Sequence, residues 1–289
     1  METLEYKVLD KGFVKLLDIM GDDNAITDAA RVSTGNNQKE KTKKENERLI
    51  RYLWRNLHTS PFEMVELKFY CKMPVLTARQ WIRHRTANVN EISGRYSILA
   101  SEFYEPEVWR QPDSINKQGS QIILDSEGFD EYINSLYKTS CEDAFKKYEE
   151  MIAAGVANEM ARMHLPVSTY TEWYWKIDLR NLLHFLNLRL DFHAQYEIRV
   201  YAEAMADIVK RMCPMAWKAF EDYTLNAVTF SAQEWDVIKK QVQQNFNLDD
   251  YGNTLTEDQT KERYRGLYTL YNQEEPSKVE IAEFFNKIK

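Results

Sequence analysis

The chain has 289 residues, of which 44% are hydrophobic and 13% aromatic, enough for one large or two modest globular domains with a real core. Its formal net charge is -7, from 45 acidic and 38 basic residues, so the extended basic surface that nucleic-acid binding needs is not expected. No run of eighteen apolar residues and no signal-peptide pattern occur, so we expect no membrane span and a cytoplasmic location.

The first third of the chain predicts alternating strands and helices. Residues 4 to 9 alternate weakly, which indicates a strand, and residues 25 to 33 form a short helix candidate. Residues 44 to 57 have apolar side chains at helical spacing. Ser60-Pro61-Phe62-Glu63 has the pattern of a capping box with proline at the first helical position, or of a loop that enters the next strand. That strand is predicted at 65 to 73, where apolar and polar residues alternate strictly.

The remaining elements follow from helical periodicity, β-branched runs and glycine or proline stops. In chain order they are a helix at 75–84, a long surface loop at 105–128, a helix at 129–154 stopped by Gly155, a short helix at 158–164, a strand at 167–177, and helical residues 179–212 with a break near Asp191, closed by Pro214. Residues 224 to 289 hold three more helical patterns, the first opened by a Ser231 to Glu234 capping box. This tail is short enough to be an appendage.

Positive charge is concentrated in the segment RQWIRHRTANVNEISGRYS, residues 79 to 97, of this acidic chain. Its basic side chains are Arg79, Arg83, His84, Arg85 and Arg95. Arg79 and Arg83 are four apart and share a helical face, and Ser93-Gly94-Arg95 adds a hydroxyl, a glycine and another guanidinium. Such a set suits a phosphate-bearing anion. The residues alone leave a second interpretation open, in which these arginines pair with glutamates on neighbouring helices or at a subunit contact.

A second polar helix is predicted from residues 178 to 199, and its sequence also allows a metal interpretation. One face carries Arg180, His184, Asn187 and Asp191, and the other carries leucines. His193 and Glu197 are four apart and, with His184, are the residues that a metal site would use. No HExxH motif occurs, and such a pair is more often a surface pair, so we expect no metal.

Other familiar catalytic patterns are missing from the sequence. No glycine-rich phosphate loop or GxGxxG fingerprint occurs, which disfavours P-loop and Rossmann folds. Cys71, Cys141 and Cys213 lie far apart, so we expect buried, reduced thiols that do not act as nucleophiles.

Five short motifs, in order, resemble those of one enzyme family. Arg83-His84-Arg85, seven residues and then Ser93 match the signature R-H-R-x7-S of the flavin-dependent thymidylate synthases. The other four motifs are HTSPFE at 58–63, EMAR at 159–162, FLNLR at 185–189 and HAQYEI at 193–198. The resemblance covers roughly residues 4 to 222.

The resemblance implies a fold, an assembly and a reaction. The implied fold is α+β, an antiparallel sheet flanked by long helices, with a synthase domain at 1–223 and a helical extension at 224–289. Members are homotetramers whose active sites combine residues of several subunits. The implied reaction transfers the methylene group of 5,10-methylenetetrahydrofolate to C5 of dUMP, and FADH2, with NADPH as reductant, completes the methyl group of dTMP.

Site residues are carried over from the resemblance position by position. The implied dUMP contacts are Gln80, Arg83, Ser93, Gly94, Arg95, Arg162 and Arg189. The implied FAD contacts are Ser60, Arg83, His84, Arg85, Glu91, Asp178, Arg180 and His184. Arg189 would act at the uracil edge, favouring the N3-ionised form, and His58 would lie near flavin and folate. The charge of Asp178 would repel a flavin phosphate, which sets it apart from the other implied contacts.

Three alternatives remain at this point. A related flavin enzyme could install another one-carbon group, such as hydroxymethyl, on a pyrimidine nucleotide. A metal-dependent nucleotide phosphohydrolase would need a divalent ion. A nucleotide or RNA binder without flavin would lose affinity steeply with salt.

Overall fold

The computed structural model describes residues 4–35, 42–112, 120–122, 129–246, 255–272, 276 and 278–288. The chain divides into two compact units, Met1–Ala227 and Val228–Lys289. No described helix is both long and apolar enough to cross a membrane.

A five-stranded antiparallel sheet organises the first unit and confirms the predicted fold class. Its strands are β1 (Glu5–Val8), β2 (Gly12–Met20), β3 (Glu66–Pro74), β4 (Asn88–Glu91) and β7 (Tyr170–Asp178), in the spatial order β1-β2-β3-β7-β4. Strands β1, β3 and β7 were predicted, whereas β2 and β4 were not. A register shift between Leu16 and Asp18 interrupts the alternation of β2, and β4 has only four residues, so neither shows a clear period of two.

Helices cover the sheet and join its strands. They are α1 (Asp23–Val32), α2 (Lys43–Arg55), α3 (Val75–Trp81), α4 (Phe129–Ala153), α5 (Asn158–Ala161), α6 (Leu179–Arg189), α7 (Tyr196–Met212) and α8 (Pro214–Phe220), with 3-10 turns at Ser60–Met64 and Arg162–His164 and a π-helical turn at Glu221–Leu225. The predicted helix at 129–154 and the break near Asp191 are confirmed.

Four local predictions are corrected by the structure. Ser60–Met64 is a 3-10 helix without a side-chain cap, so the predicted capping box is wrong, although proline does stand in its first turn. Helix α3 ends at Trp81, three residues before the predicted end. Helix α7 ends at Met212, but Pro214, which was predicted to close the helical run, instead opens the next helix, α8, where its missing N–H costs nothing. The predicted loop at 105–128 contains the paired strands β5 (Arg110–Pro112) and β6 (Ser120–Ile122), while 113–119 and 123–128 lie outside the described residues.

An aromatic cluster fixes α3 and α6 on the sheet. Trp81 at the end of α3 stacks on Phe185 of α6 with ring centroids 5.2 Å apart. The same indole meets Trp173 and Trp175 of β7 edge to face at 5.3 and 5.2 Å. All four side chains are buried. Rings of this size contribute much of the apolar area that a core buries, so the ends of α3 and α6 are held firmly side by side.

The second unit consists of α9 (Ala232–Phe246), α10 (Glu257–Asn272) and α11 (Lys278–Ile288). The capping box predicted at its start is confirmed, because Ser231 N donates to Glu234 Oε2 at 2.8 Å and Glu234 N donates to Ser231 Oγ at 3.3 Å. Its described core centres on Ile281, with Trp235, Tyr264 and Phe284 packed around it.

Candidate active site

The ends of α3 and α6 bring three predicted site residues into contact. His84 follows α3, and its ring meets Phe185 edge to face at 4.9 Å and lies 6.4 Å from the ring of His184. Arg189 Nε donates a hydrogen bond to His84 Nε2 at 3.1 Å. These three polar side chains, His84, His184 and Arg189, form the first cluster, which stands on the aromatic core.

The protonation state of His84 follows from its surroundings. Burial, together with the nearby charges of Arg189 and His184, lowers its pKa from the ordinary 6.5 to about 4. At neutral pH the imidazole is therefore neutral, and Nε2 is the atom that accepts from Arg189 while Nδ1 carries the proton. Burial also lowers the pKa of Arg189. A neutral ring thus positions the guanidinium of Arg189 without placing a second positive charge beside it.

Four exposed guanidinium groups have no carboxylate partner among the described residues. Arg79, Arg83, Arg85 and Arg162 are exposed and form no ion pair within the part of the chain that the structure describes. For Arg79, Arg83 and Arg85 of the arginine segment, pairing with glutamates on neighbouring helices is therefore wrong among the described residues, while pairing at a subunit contact stays an open alternative. Arg95 is different, because its Nε lies 3.0 Å from Glu159 Oε2. Several unpaired guanidinium groups in an acidic protein favour a bound anion.

A tight turn at residues 93 to 97 builds a second cluster. The backbone N–H of Tyr96 and that of Ser97 both donate to the Ser93 carbonyl at 3.1 Å. Gly94 is buried in this turn, and a Cβ added there would lie 3.0 Å from Leu99 Cδ1 and 3.2 Å from Arg162 Cδ. The absence of a side chain at 94 lets Arg162 approach the turn. Ser93, Gly94, Arg95, Arg162 and Glu159 together form this second cluster.

The remaining predicted flavin contacts lie near the start of α6 or beside β7. The 3-10 helix Ser60–Met64 packs against α6. Asp178 caps α6, since its Oδ1 accepts from Asn181 N at 2.9 Å and its Oδ2 from Asn181 Nδ2 at 2.6 Å. Arg180 donates to the Asn181 side chain at 3.0 Å. Glu91 accepts from Thr171 Oγ1 at 2.7 Å. His58 is exposed, with its ring 6.0 Å from that of Tyr52.

The two clusters are separate in a single chain. No hydrogen bond, ion pair or ring contact between described residues joins the turn at 93–97 to the cluster of His84, His184 and Arg189. The resemblance implies that members of both groups share an active site built from several subunits, and in a single chain the structure groups them in two.

Sequence reasoning missed a polar network built around the buried carboxylate of Glu197. The side-chain amide of Gln80 donates to Gln195 Oε1, and Gln195 Nε2 donates to Glu197 Oε2 at 2.7 Å. Glu197 forms an ion pair with Arg110 from β5. The interpretation of Glu197 as a surface partner of His193 is wrong, because Glu197 is buried and His193 Nδ1 contacts Asp191 Oδ1 at 2.8 Å. The motif HAQYEI contains both Gln195 and Glu197, but helical spacing alone pointed to His193 as the partner of Glu197.

Comparison with known proteins decides the family. Residues 15–215 match the family model described as thymidylate synthase complementing protein. A flavin-dependent thymidylate synthase of Wolbachia pipientis wMel is 52% identical over 239 residues, which cover 82% of this chain and 83% of that protein. The chain belongs to the flavin-dependent thymidylate synthase family. A flavin-dependent thymidylate synthase of Thermus thermophilus is 54% identical over 231 residues, covering 80% of this chain and 83% of that one.

A solved structure shares the fold of this chain. The crystal structure of a UMP/dUMP methylase, PolB from Streptomyces cacaoi, bound with 5-Br dUMP, is 32% identical with a TM-score of 0.68. The alignment covers 76% of this chain and 99% of that one. The family predicted from the motifs is therefore confirmed. The matched family region ends at residue 215, before the second unit begins.

The thiols and the possible metal ligands of this chain can also be located in the structure. Cys71, Cys141 and Cys213 are free and buried, as predicted. Burial raises the pKa of the Cys71 and Cys213 thiols, which keeps them in the unreactive protonated form. Among the described residues no three His, Cys, Asp or Glu side chains come together as metal ligands.

Proposed function

We propose that this member of the family makes dTMP by transferring the methylene group of 5,10-methylenetetrahydrofolate to C5 of dUMP, with FADH2 as the hydride source and NADPH as reductant. The names of the relatives support the flavin and the product. The observation that carries the proposal in this chain is Arg189, held by a neutral His84 and accompanied by the unpaired guanidinium groups of Arg83 and Arg85.

The donor set beside α6 fits FAD, which combines a diphosphate with a large aromatic ring system. Arg83, Arg85 and Arg180 are exposed cations that suit the diphosphate. His84 and His184 offer ring nitrogens close to the aromatic core. Ser60 lies on the 3-10 helix that packs against α6. Asp178 is the exception, because its two oxygens already accept from Asn181 and its charge opposes a phosphate.

The second cluster suits the phosphate of dUMP. The turn at 93–97 presents a hydroxyl from Ser93 and a guanidinium from Arg95, and Gly94 allows Arg162 to join them. Arg95 Nε lies 3.0 Å from Glu159 Oε2, so a bound phosphate must share or displace that ion pair. In this proposal Arg189 stabilises the negative charge that uracil carries when N3 is ionised, which activates C5 without a cysteine nucleophile.

A homotetramer with shared active sites is also part of the proposal. Large apolar side chains near the two clusters are exposed in one chain, with Tyr96 81% and Phe192 75% accessible. Contacts between subunits would cover such side chains. Assembly would also allow the first cluster of one subunit to meet the second cluster of another. We place the enzyme in the cytoplasm, where its three free thiols would stay reduced.

A second candidate activity is methylation of UMP. The solved structural neighbour is named a UMP/dUMP methylase, which favours testing both nucleotides. Transfer of a different one-carbon group, such as hydroxymethyl, belongs to the same class of reaction.

One assay separates these activities. The full chain, loaded with FAD, is incubated with NADPH, methylenetetrahydrofolate and either dUMP or UMP, and the products are identified by mass spectrometry. We expect dTMP from dUMP, and no product when FAD or the folate is left out. Formation of a hydroxymethyl product, or turnover of UMP alone, would replace the proposed reaction with the corresponding alternative.

A further inference from the structure

Glu197 is a buried carboxylate that the chemistry described above does not use. It lies in the first turn of α7 and is only 3% exposed. An isolated buried charge is costly, so its partners must hold it ionised or it would be protonated. The nature of those partners shows what the carboxylate does.

Three side chains contact the Glu197 carboxylate. Arg110 forms an ion pair with Oε1, the Tyr104 hydroxyl donates to the same oxygen at 3.3 Å, and Gln195 Nε2 donates to Oε2 at 2.7 Å. Burial would raise the pKa of Glu197, but the hydrogen bonds and the charge of Arg110 outweigh it and hold the pKa below its ordinary value. Glu197 is therefore an anion at neutral pH, and both oxygens act only as acceptors.

An anion in this position fixes the orientation of the neighbouring amides. Gln195 must turn its NH2 group toward Glu197, which directs its Oε1 toward Gln80. Gln80 must then turn its own NH2 group toward Gln195. The Gln195 side chain makes no bond to the N-terminus of its own helix, although it stands at the capping position. Its hydrogen-bonding capacity is used instead to connect Glu197 with Gln80.

We propose that Glu197 is a positioning residue for the nucleotide. Acting through Gln195, it orients the Gln80 amide so that the carbonyl oxygen of Gln80 faces the ligand and accepts a hydrogen bond from an N–H or hydroxyl group of a pyrimidine nucleotide. This inference rests on the proposed function, in which Gln80 contacts dUMP.

Arg110 anchors the other end of this chain of contacts. Its guanidinium lies 5.2 Å from the centroid of the Tyr196 ring, and its Nε donates to Ser120 Oγ of β6 at 3.1 Å. The two short strands found within the predicted loop thus supply the counter-charge for Glu197. The nucleotide contact of Gln80 depends on a segment outside the motifs that identified the family.

The main test replaces Glu197 with Gln. The variant E197Q keeps the shape but can donate as well as accept, so the amide orientation is no longer fixed. We expect the Kd for dUMP, measured by titration calorimetry on the FAD-loaded full chain, to rise about three- to tenfold, the loss of one directed hydrogen bond. Flavin affinity should stay unchanged. The variant E197D, which keeps the charge, should recover part of the affinity.

A double-mutant cycle distinguishes positioning from general stability. In a Q80A background, E197Q should cause no further rise in the Kd for dUMP, because the residue through which Glu197 acts is gone. Q195M removes the middle of the connection at similar volume and leaves the ion pair with Arg110. It should raise the Kd as much as E197Q does, and it provides the same test if E197Q folds poorly.

The matched control is another buried carboxylate of the same unit. Asp23 is 5% exposed and accepts from the backbone N–H groups of Met215 and Ala216 at 2.8 and 2.9 Å. D23N should lower the melting temperature but leave the Kd for dUMP unchanged. An unchanged Kd in both E197Q and Q195M, or an equal rise with and without Gln80, overturns the proposal. A wild-type chain that binds dUMP but makes no dTMP contradicts the proposed function alone and leaves these Kd comparisons valid.

Discussion

The two clusters differ in how firmly the fold holds them. His84 and Arg189 stand on the aromatic core, and Arg189 is oriented by a neutral acceptor. Arg95, in the second cluster, is exposed and held by one ion pair with Glu159, a contact that water weakens. The first cluster is preorganised for charge stabilisation, whereas the second is suited to exchange one anion for another. In the proposed reaction the first cluster would determine the rate of the chemical step, and the second cluster would determine the affinity for the nucleotide.

The largest expected effect comes from the preorganised cluster. Arg189→Lys keeps the charge but loses the planar fork and the Nε–H that His84 accepts. We expect kcat to fall by about 100-fold or more, the size seen when a preorganised electrostatic donor is removed. Flavin absorbance should stay, which separates lost chemistry from lost cofactor. Arg48→Lys, an exposed arginine on α2, is the control, and its turnover should match the wild type. Equal turnover in R189K would remove Arg189 from this role.

The second cluster should respond through affinity. Gly94→Ala places a methyl group 3.0 Å from Leu99 and 3.2 Å from Arg162, so both side chains must shift by a few tenths of an ångström. We expect the KM for dUMP to rise about three- to tenfold, with kcat close to wild type. The reason is that the change weakens the binding of the substrate and of the transition state equally. Gly266→Ala on α10 is the control, since nothing lies within 4 Å of its added Cβ. A fall in kcat at constant KM in G94A would contradict the division between the clusters.

Acid should destabilise the first cluster through His84. The unfolded chain protonates this imidazole near pH 6.5, the folded chain only near pH 4, so the stability contributed by the neutral ring is complete above pH 6.5 and falls as the pH drops toward 4. We expect the urea midpoint of wild type to fall more steeply across this range than that of H84Q. Replacing the exposed His164 with Gln should not change how steeply the urea midpoint depends on pH. Parallel curves for wild type and H84Q would show that His84 is not the group that titrates.

The smallest effect on turnover is expected from the thiols, which belong to neither cluster. Replacing Cys71, Cys141 and Cys213 with Ala removes three buried thiol groups, so the free energy of unfolding should fall by about 1 kcal/mol for each. Turnover per folded enzyme, normalised to bound flavin, should not change. Loss of turnover in a folded single variant would point to a cysteine nucleophile and against charge stabilisation by Arg189.

The sequence predicted the elements with strong periodicity and missed those without it. The alternation of β3 and the apolar spacing of α4 were sufficient to identify both elements. The bulge in β2 hides its alternation. The motifs predicted the site residues as a group, but not that Arg95 and Arg189 belong to different clusters in one chain. The partner of Glu197 could not be predicted, because Arg110 is 87 residues away in the sequence and no local pattern connects the two.

The aromatic cluster around Trp81 has a consequence for how relatives of this chain can diverge. Its indole touches Phe185, Trp173 and Trp175, with ring centroids 5.2 to 5.3 Å apart. A smaller residue at that position would leave a cavity that only a larger neighbour could fill. We therefore expect these four positions to covary across an alignment, with their summed side-chain volume nearly constant even where the individual residues change.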